Sequence, residues 1–131
     1  AVLLFGGPGD RSDAEAIRTR VRRPPVDLAG RTSLREAMVL IGRCRLFITN
    51  DSGLMHVAGA LNIPTIALFG STNPATTAPV GENSVILRHP LPCSPCLKTA
   101  CPTDFRCMDL IRTEDVLAAA APFLDTEGAS P

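Results

Sequence analysis

Tryptophan and tyrosine are absent from this chain, and aromatic residues, all phenylalanine, make up only 4% of it. Few rings remain to stack on bases, which argues against a nucleic-acid-binding protein. The same lack argues against a flavodoxin-like module holding a flavin. Net charge is missing too, because 13 basic and 13 acidic residues cancel. Arg18, Arg20, Arg22 and Arg23 form the one basic cluster, which ends at Pro24-Pro25 and reads as a solvated helix end suited to the dipole. No apolar stretch approaches the roughly 18 residues that a membrane-spanning helix needs. Ala1-Val2-Leu3-Leu4-Phe5 is too short for a secretory signal and has no basic region. It reads as a core strand, and a chain opening on one without methionine is expected to be a fragment cut at a domain boundary.

What is present describes a globular α/β domain. Hydrophobic residues are 45% and charged residues 20% of 131, enough for one domain burying about two-thirds of its unfolded surface. The expected domain is 1–124, with 125–131 a frayed tail. Apolar runs predict strands at Val2–Phe5, Val26–Leu28, 46–49, Thr65–Phe69 and Val85–Leu87. Between them, Ser12 with Glu15 and Ser33 with Glu36 have capping-box spacing and predict helix starts. The second of these helices should bury Leu34, Ala37, Met38 and Ile41; the helix 53–61 should bury Leu54, Val57, Ala58 and Leu61. A last helix should start at Thr113 and bury Val116, Leu117, Ala120 and Phe123. Alternating strands and helices imply a parallel sheet with helices on both faces.

The chemistry concentrates where the strand 46–49 feeds the helix 53–61 through Asn50-Asp51-Ser52-Gly53. Unpaired backbone N–H groups and the helix dipole favour an anion there. Gly53 lets a ligand approach the backbone, and His56, one turn on, can reach back toward the same anion. This predicts a diphosphate site. On composition alone Asp51 and Ser52 read first as simple helix caps. The glycine-rich loop 6–10, the turn 50–53 and the loop 70–74 all follow strands, and ligands of parallel sheets bind beyond the carboxyl ends of strands.

The residue pattern narrows this further. Asp51, Ser52, Gly53 and His56, then Pro64, Phe69-Gly70, Thr72 and Pro74, resemble glycosyltransferase family 9, the ADP-heptose:lipopolysaccharide heptosyltransferases. Asp27-Leu28-Ala29-Gly30-Arg31-Thr32-Ser33-Leu34 is similar to a further family segment, and Cys93-Ser94-Pro95-Cys96-Leu97-Lys98 with Cys101-Pro102 resembles the heptosyltransferase II branch. The resemblance covers nearly all of this chain but only the second half of the family's protein. It implies a Rossmann-like fold, the C-terminal, donor-binding half of an inverting GT-B enzyme. The implied partners are an ADP-heptose donor, the inner core of lipopolysaccharide as acceptor, and an N-terminal domain carrying the catalytic base. No nucleic acid and no cofactor is implied. The implied location is the cytoplasm, with attachment at the inner face of the cytoplasmic membrane left open.

In that frame Asp10 is the candidate for the nucleotide ribose, and Thr32 matches a position lining the adenine pocket. Thr72 either faces the sugar or holds the turn before Pro74. Asp51 should bond sugar hydroxyls or backbone N–H groups, because a carboxylate repels phosphate. A sugar-nucleotide epimerase with a similar donor domain remains an alternative, as does a nucleotide-binding module without catalysis.

The four cysteines 93, 96, 101 and 107 fall within 15 residues. Zinc, disulfides and plain structural thiols all fit that density. Plain thiols are expected, with no metal, because the spacing lacks zinc-ribbon symmetry. Cys44 reads as a buried apolar residue, and His89 as surface.

Overall fold

A computed structural model describes residues 1–125. Its strands all pair in parallel, in two sets within two compact units, Ala1–Leu40 and Ile41 onward.

In the first unit β1 (Leu3–Leu4) pairs with β2 (Val26–Asp27), and α1 (Arg11–Arg20) connects them. A single turn at Pro8–Asp10 runs straight into α1, so Ser12 lies inside the helix and the expected Ser12–Glu15 box does not form. Glu15 instead pairs with Arg18 at 2.8 Å. The second box is present. Glu36 accepts from both the Ser33 amide and hydroxyl at 2.7 Å, and Ser33 Oγ accepts from the Glu36 amide. Of the four residues expected to be buried in α2 (Leu34–Ile41), only Ala37 and Ile41 are, while Leu34 and Met38 are exposed. The buried stripe is thus the narrow i, i+4 row, one side chain wide.

The second unit orders its sheet β3-β4-β5, from Phe47–Asn50, Thr65–Phe69 and Ser84–Arg88. α3 (Gly53–Ala60) joins β3 to β4, the short α4 (Pro74–Thr77) lies between β4 and β5, and α5 (Arg106–Asp109) and α6 (Thr113–Leu124) follow. The central strand β4 is buried on both faces: Ile66 points one way, Ala67 and Phe69 the other, and all three are buried. Thr65 is buried as well, its hydroxyl satisfied by the Ile63 carbonyl at 2.8 Å. Met55 of α3 packs with Ala67 and Phe69, and Ile86 of β5, in register with Ala67, completes that cluster. Burying side chains of that size is worth about 1.5–3 kcal/mol each.

The α3 face was expected through Leu54, Val57, Ala58 and Leu61. Ala58 is buried, Leu54 and Val57 only half so, and Leu61 is exposed as the C-cap. Met55 carries the core contact, because the helix turns its Met55–Ala58 edge inward. In α6 only Ala120 of the expected set is fully buried, and Leu117 is exposed. α6 begins at Thr113 as the acidic first turn predicts, and Asp115 accepts from the Arg112 amide at 2.9 Å. The Asp125 amide bonds the Ala121 carbonyl, and the rest of the expected tail lies outside the described residues. No helix of the described residues is long and apolar enough to cross a membrane.

Candidate functional site

The strand β3 ends one residue later than expected, at Asn50, so only Asp51 and Ser52 separate it from α3. Ser52 occupies the N-cap position in extended backbone, yet its hydroxyl does not cap. It lies 3.2 Å from the Thr49 hydroxyl. The Asp51 carboxylate is also directed elsewhere, accepting from Thr77 Oγ1 of α4 at 3.0 Å. The first inward bond is made by the Met55 amide to the Ser52 carbonyl. The amides of Gly53 and Leu54 have no partner among the described residues. A helix start usually consumes such donors with its cap. Here both candidate caps are turned away and the donors stay open. Gly53 is exposed, and a Cβ built on it would meet nothing within 4 Å. His56 is exposed one turn along α3. The arrangement can receive an anion on backbone N–H groups, with the helix dipole behind them.

Beside this turn lies a cavity of about 210 Å³ beyond the carboxyl ends of β3 and β4. Asn50, Asp51, Gly70, Ser71 and Thr72 form its strand-end side. Asp51 and Thr72 are therefore brought together, whereas Ser52, Gly53 and His56 are not among the lining residues. The opposite side comes from the cysteine-bearing segment, with Lys98, Thr99, Cys101, Phe105 and Met108. Two bonds tie that segment to the strand end: Ser94 Oγ donates to the Gly70 carbonyl at 2.6 Å, and the Leu97 amide donates to the Ser71 carbonyl at 2.8 Å. Gly70 has no side chain because Met108 Sδ and Cys107 Sγ occupy that space, 2.7 and 3.1 Å from a Cβ placed there.

In the first unit, Asp10 Oδ2 accepts from the Gly7 amide at 2.7 Å, and the Gly30 amide donates to the Gly6 carbonyl at 2.8 Å. The glycine loop is thereby packed against the 28–30 turn, where Gly30 has φ +62° and a Cβ would fall 2.7 Å from Pro8 Cα. Asp10 is exposed, with one oxygen committed to its own turn. Thr32 is half-buried, and its hydroxyl has no hydrogen bond among the described residues.

Residues 1–105 match the family model of glycosyltransferase family 9 (heptosyltransferase). The chain belongs to that family. It is 47% identical over 92 residues to lipooligosaccharide heptosyltransferase 2 of Haemophilus influenzae, a match covering 67% of this chain and 27% of that protein. Lipooligosaccharide heptosyltransferase 2 of Campylobacter jejuni matches at 35% identity over 129 residues, 94% of this chain and 40% of the relative. A solved structure of E. coli ADP-heptose lps heptosyltransferase II superposes with a TM-score of 0.79 at 33% identity, covering 94% of this chain and 36% of that one. The glycosyl transferase family 9 structure from Veillonella parvula gives 0.81 at 29% identity, covering 93% and 36%. The chain thus spans between about a quarter and two-fifths of the lengths of its relatives. The fold is Rossmann-like α/β, as in the GT-B glycosyltransferases it matches, and the expected parallel, helix-flanked architecture holds.

Three of the cysteines, Cys96, Cys101 and Cys107, line the cavity. All five carry free thiols, and among the described residues no three His, Cys, Asp or Glu groups stand where they would hold one metal ion. Cys101 Sγ lies 3.5 Å from the Thr103 hydroxyl and accepts from the Phe105 amide at 3.3 Å. The Thr103 hydroxyl, followed by these backbone N–H groups, pulls its pKa below the ordinary thiol value. Burial, and then the neighbouring thiolates of Cys101, Cys93 and Cys96, push Cys107 upward. Burial likewise raises Cys44, which is half-buried rather than buried as expected. His89 is half-buried at the end of β5 rather than a surface residue.

Sequence reasoning passed over Asn50, Lys98 and Thr99 as site residues. Asn50 was hidden by placing the strand end one residue early. Lys98 and Thr99 sit in a segment marked chiefly by its cysteines, and no local pattern reveals that the Leu97 amide, 26 residues past Ser71, bonds back to it.

Proposed function

We propose that this chain is the donor-binding part of an inverting heptosyltransferase that moves heptose from ADP-heptose to the inner core of lipopolysaccharide. One observation carries the reading: at the start of α3 both candidate caps are turned aside, leaving the Gly53 and Leu54 amides open beside an unobstructed Gly53. The names of the relatives, which are heptosyltransferases, support the same reaction class.

In this reaction an acceptor hydroxyl oxygen forms a bond to C1 of the heptose. The bond between C1 and the β-phosphate oxygen breaks, and its electron pair leaves with ADP. The hydroxyl proton passes to a base, proposed to lie in the part of the enzyme beyond this chain. Negative charge therefore grows on the diphosphate as the bond breaks. Backbone donors fixed before the reaction stabilise that charge without reorganising, and His56 adds a donor from the next turn. Asp51, anchored by Thr77 at the cavity edge, offers its other oxygen to sugar hydroxyls. Thr72 lines the sugar side. In this reading the enzyme works in the cytoplasm and meets its lipopolysaccharide acceptor at the inner face of the cytoplasmic membrane.

The test compares ADP, UDP and GDP binding to the full-length protein, followed by transfer from ADP-heptose. ADP is expected to bind most tightly and ADP-heptose to be consumed with release of ADP. Equal affinity for the three nucleotides, or no heptose transfer, would contradict the proposal.

A further inference from the structure

Among the residues lining the cavity beside Asp51, Lys98 is the only cation and Asp51 the only carboxylate. An exposed lysine ordinarily does no more than keep a surface hydrated. Three relations set this one apart. Its backbone is held in place, because the preceding residue, Leu97, donates its amide to the Ser71 carbonyl at 2.8 Å, beside Thr72. Leu97 takes a left-handed backbone, φ +55°, although it is not glycine and its side chain is exposed. That conformation is disfavoured for an L-residue, and the chain turns there, immediately before Lys98. The ammonium, finally, makes no ion pair or hydrogen bond among the described residues, whereas Asp51 is already engaged by Thr77.

The open amides at the start of α3 supply dipoles but no full charge. A diphosphate leaving group needs charge, and within this unit's cavity Lys98 is the one side chain that brings it. Lysine is well matched to that role, as a compact point charge with three donors on a flexible stem, suited to phosphate oxygens more than to neutral sugar hydroxyls. We propose that Lys98 reaches across the cavity to the β-phosphate of the nucleoside diphosphate held at the start of α3 and steadies it as the sugar leaves. This rests on the donor-site reading above and adds to it the group that neutralises the leaving phosphate. The cysteine segment then acts as the arm presenting that charge, pinned through Ser94 and Leu97 to the end of β4.

The experiment uses the full-length enzyme with Lys98→Gln and Lys98→Arg, and ADP and AMP as probes, since AMP lacks the β-phosphate. Losing one charge-assisted contact should weaken ADP binding by Lys98→Gln about 10- to 150-fold. AMP binding and the melting temperature should stay at parental values, and Lys98→Arg should recover most of the loss. The kcat/KM for ADP-heptose should fall with ADP affinity while the acceptor KM holds. Parental ADP affinity in Lys98→Gln would overturn the inference, as would equal losses for ADP and AMP, or a change confined to the acceptor KM. If the parent enzyme itself bound no ADP, the donor-site reading would fail first and this inference with it.

Discussion

The Thr77 hydroxyl shares its proton between Asp51 Oδ2 and the Asn73 carbonyl, each at 3.0 Å, joining α4 to the turn between β3 and α3 across 26 positions. The bond faces the carboxylate toward α4 and away from the amides that open α3. Thr77→Val keeps the shape and removes the donor, which should lower stability by about 0.5–1.5 kcal/mol in urea denaturation. The released carboxylate then competes for the α3 amides, so ADP affinity should fall as well, and Thr77→Ser should restore both. Unchanged ADP binding in Thr77→Val would mean that the orientation of Asp51 does not guard the site.

The thiols differ enough to be ranked by alkylation. Cys101 has its pKa lowered by the Thr103 hydroxyl and by backbone N–H groups, so more of it is thiolate at neutral pH. Cys44 is shifted the other way by burial. Peptide mapping after brief iodoacetamide treatment of the folded protein should find Cys101 modified before Cys44. The purified protein should also contain no stoichiometric zinc by elemental analysis, leaving the cysteine segment as structural thiols. One bound zinc, or Cys44 reacting first, would refute that description.

Two glycines of α3 should respond in opposite ways to alanine. A Cβ on Gly59 would lie 2.6 Å from the Val80 carbonyl oxygen and 2.9 Å from Pro79 Cβ, and a backbone carbonyl cannot step aside cheaply. The overpacking cost of about 1–3 kcal/mol exceeds the gain of about 1 kcal/mol from a better helix former. Gly59→Ala should therefore lower the melting temperature, whereas Gly53→Ala, open on all sides, should leave it unchanged or raise it. Equal effects from the two substitutions would mean that the 79–80 turn does not rest on α3.

Much of this was legible before the fold was known. Thr65–Phe69 was readable because the central strand of a parallel sheet is apolar on both faces, and Ser33 with Glu36 because a capping box is local chemistry. The turn 50–53 stood out for the same local reason. Long-range relations were not legible. Nothing near Asp51 announces Thr77, and nothing near Lys98 announces Ser71, because both pairings depend on how loops return to a strand end. Helix faces failed more subtly. Apolar periodicity marks candidates, but Met38 and Leu117 are exposed while Met55 is fully buried, since packing against the sheet selects one edge of each helix.

The most direct measurement is ADP binding by Gly53→Val in the full-length protein, because the donor site rests on the backbone cradle at the start of α3. Gly53 is exposed with open space where a Cβ would stand, so the fold should keep its melting temperature. The added methyl groups would instead occupy the approach to the Gly53 and Leu54 amides. The expected result is at least about a tenfold loss of ADP affinity, the equivalent of roughly 1.4 kcal/mol, with the melting temperature unchanged. ADP bound as tightly by Gly53→Val as by the parent would contradict the cradle.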